Sequence, residues 1–401
     1  MRRSLLTMLL AALAVLAVLA AGIWAGGHPD RLPEPVRDAL VDDEQAQLVD
    51  EVIDDIERDY YREVDRDELT DQAVAGMVEG LDDRFSHYFT PDQFREYQRS
   101  SNSEFAGIGV EVREQEGEGL RVTHVYEGAP AEEAGIEPGD TIVAVAGRSI
   151  AELPIEASTA RIKGEPGTDV RLTIAREGEP RFERTLERAI VDVPVVDSRM
   201  RRAQDGTKVA QVALAQFANG AHGELRAEID RRLEEGAEAI LLDLRHNPGG
   251  LLEEARLVSS IFIDEGEIVS IRGRNQPTKT LDATGGAIDG DIPVAVLTDD
   301  GTASAAEIVA GAIQDRDRGE VIGSRSFGKG VFQQVMRLSN GGALDITVGQ
   351  YFLPSGRNLG GGGVDRGRGI EPDVQATDDE QTPRRDEVVE AGVEALAEQL
   401  R

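Results

Sequence analysis

Residues 294–313 constrain the fold of this chain more than any other stretch. An apolar strand, Val294-Ala295-Val296-Leu297-Thr298, runs into the tight turn Asp299-Asp300-Gly301-Thr302. Beyond Ala303-Ser304-Ala305-Ala306-Glu307, apolar residues continue at Ile308, Val309, Ala312 and Ile313. That is a strand, a sharp turn and a helix, with Ser304 at the helix start. A serine there can cap the helix by accepting a backbone N–H bond. It can equally be a nucleophile whose oxyanion is stabilised by the free N–H groups and positive end of the helix.

A second segment follows at Phe327-Gly328-Lys329-Gly330, a lysine between two glycines in a loop between apolar strands. Glycine allows another backbone or a substrate to come close. A lysine held in so crowded a place loses hydration, so its pKa falls and it can act as a neutral general base. The plain alternative is a solvated loop lysine. Residues 323–329 also fit G-x-x-x-x-G-K, but Gly330 stands where a phosphate loop needs Ser or Thr for magnesium.

TASAAEIVAGAIQD followed by SFGKGVFQ resembles the core of the carboxyl-terminal processing proteases, Ser–Lys peptidases that usually carry a PDZ domain. The resemblance implies Ser304 as nucleophile, Lys329 as base and Gln333 as the residue that orients the lysine. Gln334 is adjacent, and on a strand the two would face opposite sides.

With 401 residues, more than one domain is expected. The net charge is −33, which argues against nucleic-acid binding because phosphates would repel the chain. The hydrophobic content of 40% is enough for real cores, so this is not a disordered acidic chain. The absence of cysteine excludes disulfides, thiolate chemistry and cysteine-ligated metal. No HExxH or other metal-ligand spacing occurs, and no cofactor is expected.

Residues 1–27 read as a targeting element. Arg2-Arg3 precede an uncharged apolar run from Leu5 to Trp24, long enough to span a bilayer. An uncleaved membrane anchor is favoured over a cleaved signal, since no clean A-x-A site is present. The catalytic part is then expected outside the cytoplasm, in a periplasm if the cell has one. Residues 28–102 hold a linker and a helical region. Leu48, Val52, Ile53 and Ile56 form a stripe, a second helix covers about 68–81, and Thr90-Pro91 open a third. His87, beside Ser86 and near Asp82 and Asp83, is read as helical packing or loop structure and not as part of a triad.

Residues 103–190 look like a PDZ domain. They open on Phe105-Ala106-Gly107-Ile108-Gly109-Val110 and continue through strands and turns at 120–125, 127–130 and 141–145, a helix at 155–162 and a strand at 170–175. The G-x-G is no dinucleotide fingerprint, because Val112 stands where a third glycine is needed. Consecutive N–H groups at Ile108, Gly109 and Val110 can cradle a terminal carboxylate, and an extended peptide can add to a sheet edge. The tail-binding set is therefore Phe105, Gly107, Ile108, Gly109 and Val110. Lys163 stands where the family often has arginine, and it cannot make a planar bidentate contact.

Residues 191–376 alternate strands and helices, with a near-continuous apolar strand at 239–244. By resemblance, Asp243-Leu244-Arg245-His246-Asn247-Pro248-Gly249-Gly250 faces the nucleophile. Gly249 or Gly250 then lends one N–H to an oxyanion hole and Ala305 the other. His246 replaces a common asparagine, so a Ser–His mechanism is an alternative to a supporting turn. Residues 360–363 read as a mobile surface loop. Residues 377–401 form an acidic break and a helix.

The resemblance implies an α/β (α+β multidomain) protein: a crotonase-like α/β serine protease core, an N-terminal helical region and an inserted PDZ domain. It implies an exported serine endopeptidase acting on protein or peptide C-termini. It also suggests a homo-oligomer through the helical termini and an adaptor protein. The rival is a noncatalytic PDZ scaffold that binds protein tails.

Overall fold

The computed structural model describes residues 44–115, 117–275, 277–378 and 385–401. The expected anchor at 1–27 and the linker at 28–40 lie outside them. Among the described residues no helix is long and apolar enough to cross a membrane. The chain divides into two compact units, Met1–Asp82 and Asp83–Arg401.

In the first unit, α1 (Glu44–Asp59) packs on α2 (Arg66–Glu79). The Asp65 carboxylate starts α2 by accepting the N–H groups of Asp67 and Glu68. Arg66 reaches back to Asp50, Asp54 and Glu57 of α1. Of the expected stripe only Ile53 is buried; Leu48, Val52 and Ile56 are exposed.

The second unit opens with β1 (His87–Phe89) and α3 (Pro91–Ser101). Thr90 and Gln93 cap α3 reciprocally, with Pro91 in its first turn. A small sheet domain follows: β2 (Glu104–Gly107), β3 (Val110–Gln115), β4 (Gly119–Val125), α4 (Pro130–Glu133), β5 (Thr141–Val145), β6 (Arg148–Ser149), α5 (Ile155–Ile162), β7 (Asp169–Ala175), β8 (Phe182–Glu187) and β9 (Ala189–Asp192). Its sheet order is β3-β4-β5-β7-β8, with β6 on β5, so β3 is an edge strand. Its core is apolar, built on Ile108, Leu120, Ile142, Leu172 and Ile174. The β2–β9 ladder pairs the segments at its two ends.

The remaining elements are β10 (Val196–Arg202), β11 (Lys208–Leu214), α6 (Ala221–Glu234), β12 (Ala239–Asp243), α7 (Leu252–Phe262), β13 (Glu267–Gly273), β14 (Lys279–Asp282), β15 (Val294–Thr298), α8 (Ala305–Asp315), β16 (Glu320–Gly323), β17 (Val331–Arg337), β18 (Ala343–Phe352), β19 (Val374–Gln375) and α9 (Glu387–Gln399). One sheet has the order β10-β11-β12-β15-β16-β19, parallel except for β10. Its strands are apolar on both faces because both are covered. Ile240, Leu242, Val294 and Val296 face a core shared with α6, α7 and α8, whereas Leu241, Ala295 and Leu297 face α9. The other sheet has the order β1-β18-β13-β14, with β17 hairpinned onto β18.

Candidate active site

Three loops meet at the carboxyl ends of β12, β15 and β16, where open α/β sheets place their ligands. The first is the turn after β15. Asp299 Oδ1 accepts the N–H groups of Gly301 and Thr302, each at 3.0 Å, and that of His246 at 2.9 Å. Ser304 follows with φ 55° and ψ −115°, a sparsely populated conformation for a side-chain-bearing residue. Such strain costs on the order of 1–3 kcal/mol and is held by its surroundings. It places Ser304 at the sharp entry into α8, in the N-cap position.

The second loop, Asn247-Pro248-Gly249-Gly250, is docked on the first. The Ala303 N–H donates to the Asn247 carbonyl at 2.9 Å, and the buried Asn247 side chain donates to Leu214 O at 2.7 Å. A Cβ on Gly249 (φ +99°) would lie 2.9 Å from both the Ser304 Cβ and the Ala305 nitrogen, so only glycine fits there. The Gly249 N–H is engaged by Asn247 Oδ1 at 2.8 Å. The N–H groups of Gly250 and Ala305 have no acceptor among the described residues.

The third loop carries Lys329, in half-buried surroundings. Its Nζ donates to Gln333 Oε1 at 2.8 Å and lies 4.7 Å from the centre of the Phe85 ring. Loss of hydration holds the amine below the ordinary lysine value; the carboxylates of Asp345, Glu307 and Asp83 oppose this, and Arg84 adds to it. Gln333 is turned inward at a register shift between Phe332 and Gln333 on β17, and Gln334 is exposed. Lys329 is followed by a strand and not a helix, which removes the phosphate-loop reading.

Glu307 joins the first and third loops, and sequence reasoning missed it. Fully buried on α8, its carboxylate accepts Ser304 N–H (2.9 Å), Gly328 N–H (2.7 Å), Lys329 N–H (3.0 Å) and Ser326 Oγ–H (2.6 Å). Burial pushes its carboxyl up, and these four donors pull it back. The signal was present: Ser304-x-x-Glu307 is a capping-box spacing.

Residues 360–363 reach the surface at Gly361 and Gly362, but the segment is tied to the lysine loop. Gly330 N–H donates to Gly363 O at 3.0 Å. The Asn358 side chain donates to Gly330 O and accepts from Gly360 and Gly362. Tyr351, buried, donates its hydroxyl to Lys329 O. The glycines let this segment clamp the lysine loop, for a Cβ on Gly330 would lie 2.6 Å from Gly360 N.

Ser304, Ala305, Gly250, Lys329 and Gln333 line one cavity of about 490 Å³, with Phe217, Leu252, Ile308 and Tyr351 as apolar wall. His246 lies elsewhere. It is 86% exposed, its Nδ1 pairs with Asp299 at 2.7 Å, and it borders a different cavity with Asp243 and Arg245. It belongs to the supporting turn.

In the small domain, Phe105 and Gly107 lie on β2, Val110 begins the edge strand β3, and Ile108 and Gly109 link them. The carbonyls of Ile108 and Gly109 accept from Ala131 and Tyr126. Their N–H groups have no acceptor among the described residues. Lys163 ends α5 with its ammonium 6.0 Å from the Phe105 ring centre. Arg188, which sequence reasoning passed over, caps α5 instead, donating to Ile162 O at 2.7 Å.

Comparisons with known proteins agree with this architecture. Residues 208–376 match peptidase family S41, residues 121–176 a PDZ domain, and residues 31–92 the N-terminal domain of the activating protease CtpB. The carboxy-terminal processing protease CtpA of Bacillus subtilis (strain 168) is 33% identical over 85% of this chain and 71% of its own. A CtpA-like serine protease of Staphylococcus aureus (strain N315) is 33% identical over 82% of this chain, and this chain spans 65% of that relative's length. The solved photosystem II D1 C-terminal processing protease superposes with a TM-score of 0.51 at 26% identity, covering 88% of this chain and 98% of its own. Fold and matches together define a serine-type peptidase. The chain belongs to peptidase family S41, among the carboxy-terminal processing proteases, and carries a PDZ domain.

Proposed function

We propose that this chain is an exported endopeptidase that cleaves proteins near their C-termini through a Ser304–Lys329 dyad, with the PDZ domain binding the substrate tail. The observation that carries this reading is the shared cavity. It holds Ser304 on a strained helix entry, a desolvated Lys329 bonded to Gln333, and N–H groups at Gly250 and Ala305 that no described residue engages. Ser304 Oγ attacks the scissile carbonyl while the neutral Lys329 amine takes its proton. The Gly250 and Ala305 N–H groups hold the oxyanion. Lys329 then returns the proton to the leaving amine, and water activated by the same amine releases the acyl group from Ser304.

The edge position of β3 and the N–H groups beside it, which no described residue engages, suit addition of an extended tail with its carboxylate at Ile108–Gly109. The apolar 5–24 run supports export with the membrane as anchor. The exposed Leu48, Val52 and Ile56 support self-association through α1.

The test is degradation of an unfolded protein by the full chain and by its Ser304→Ala variant. Cleavage that survives Ser304→Ala removes the nucleophile. Fractionation with alkaline carbonate tests the anchor, and sole recovery in the soluble exported fraction removes it. Sedimentation of the intact chain as a monomer removes self-association.

A further inference from the structure

The hydrogen-bond chain that begins on Lys329 does not end at Gln333. Gln333 Nε2 donates at 2.9 Å to the hydroxyl of Thr347, its direct cross-strand partner on β18. Thr347 is itself seated against the turn before β1, which carries Ser86 and Asp83. In that turn Asp83 accepts Phe85 N–H at 3.0 Å and Ser86 Oγ–H at 2.6 Å. Ser86 Oγ accepts the Thr347 N–H at 3.1 Å, and β1 continues the attachment by pairing His87 with Asp345. The segment once read as packing thus docks on the sheet that carries the base.

The chemistry of the chain gives it a direction. A lysine ammonium only donates, so it needs the Gln333 carbonyl and not the amide NH₂. The Thr347 oxygen accepts from the Gln333 amide nitrogen, which turns the Gln333 carbonyl towards Lys329. Without the Thr347 hydroxyl the amide can reverse and present its NH₂ to the lysine. Burial alone would raise the Asp83 carboxyl, but hydrogen bonds from Ser86 and the Phe85 N–H, with His87 nearby, keep it below the usual carboxylate range. It is therefore anionic at neutral pH.

We propose that Thr347, seated on the Ser86 turn, is a positioning residue that fixes the orientation of the Gln333 amide and so the approach of Lys329. This rests on the Ser304–Lys329 reading. The charged groups facing Lys329 are Asp345 from β18, Glu307 from α8, and Asp83 and Arg84 from the turn before β1.

The test compares Thr347→Val, Thr347→Ser, Gln333→Ala, Thr347→Val with Gln333→Ala, and Lys329→Ala in the full chain. An apolar-ended peptide is the substrate, and kcat and KM are measured across pH. Thr347→Val breaks the link at one atom and leaves the Asp83 turn and the Thr347 backbone bond in place. It should lower kcat by about 10- to 100-fold, the scale of a misplaced catalytic group, with KM changed less than about twofold. Gln333 Oε1 favours the ammonium, so losing its acceptor geometry lowers the Lys329 pKa, and the acid limb of kcat should move to lower pH. Thr347→Ser should restore both. In the Gln333→Ala background, Thr347→Val should cost less than about twofold more, because both act through one chain. Wild-type kcat and an unmoved limb in Thr347→Val, beside an inactive Lys329→Ala, overturn the positioning role alone. So does an equal loss in Val and Ser variants with an unmoved limb, which marks a structural effect. An active Lys329→Ala overturns the dyad and this inference together.

Discussion

Replacing Glu307 with glutamine tests whether one buried carboxylate holds both halves of the site. Oε1 accepts from Ser326 Oγ and Gly328 N–H, and Oε2 accepts from Ser304 N–H and Lys329 N–H. A glutamine of the same shape has one acceptor oxygen and one NH₂. If the NH₂ replaces Oε2, two backbone N–H groups are orphaned. If it replaces Oε1, the Gly328 N–H is orphaned and Ser326, already accepting Ile370 N–H at 2.6 Å, must reorganise. Each buried donor left unpaired costs about 1–3 kcal/mol. Relief of the buried charge offsets part of this, leaving a net loss of about 2 kcal/mol. For a unit of this size that lowers the melting midpoint by roughly 3 °C. Function should suffer more than stability. The strained Ser304 and the Lys329 loop lose their common anchor, and a shift of about 1 Å between reacting groups costs on the order of 100-fold in turnover. The assay pairs thermal unfolding followed by circular dichroism with kcat on an unfolded protein. A Glu307→Gln chain with an unchanged midpoint and turnover within about threefold of wild type would refute the four-donor reading.

Lys329→Ala should lower turnover by about 10²- to 10⁴-fold, the usual contribution of a positioned base. In the wild-type chain, kcat should rise with pH as the amine loses its proton, through an apparent pKa below the lysine value of about 10.4, because burial disfavours the ammonium. A kcat that is flat across that range would remove the neutral-amine base. Gly249→Ala forces a Cβ to within 2.9 Å of Ser304 Cβ at φ +99°. It should cost about 1–3 kcal/mol in unfolding free energy and most of the turnover, and a fully active variant would show that the turn has room to spare. Amidating a substrate tail removes a charge-assisted contact, so binding to the full Ser304→Ala chain should weaken by about 2 kcal/mol. Equal affinity for free and amidated peptides would exclude Ile108 and Gly109 as a carboxylate cradle.

How much was readable in advance follows the range of the interactions. The strand, turn and helix around Ser304 were legible because apolar period and turn residues are local. So were the Thr90–Pro91 helix start and the helix at 155–162. The resemblance picks Gln333 over Gln334; strand alternation puts the two on opposite sides but does not say which one faces the lysine. Glu307 was legible too, as the fourth residue of Ser304-x-x-Glu307, but a capping box explains only one of its four bonds. The others come from the loop at 326–329 and have no trace in local spacing. The segment at 83–89 was opaque for the same reason. Its partners, Thr347 and Asp345, lie more than 250 residues away along the chain. Four glycines in a row at 360–363 signal freedom when read alone. Against Gly328 and Gly330 they signal close backbone packing, and composition does not tell these apart.

The division of the site between two sheets explains why such distant groups matter. Ser304, Gly250 and Ala305 hang from the carboxyl ends of the parallel sheet, whose strands are covered on both faces and have little freedom. Lys329 and Gln333 belong instead to the loop and hairpin leading into β17 and β18. The Ser304–Lys329 geometry therefore depends on how the hairpin sheet sits on the parallel one. Glu307 joins the two loops through backbone N–H groups, Tyr351 of β18 holds the Lys329 carbonyl, and Thr347 holds the far side of Gln333. Tyr351 and Thr347 act on where the lysine is, whereas Glu307 holds the Ser304 N–H as well. A defect in any of them should then appear first in the proton-transfer step. Substrate capture, which depends on the edge strand β3, should be unaffected.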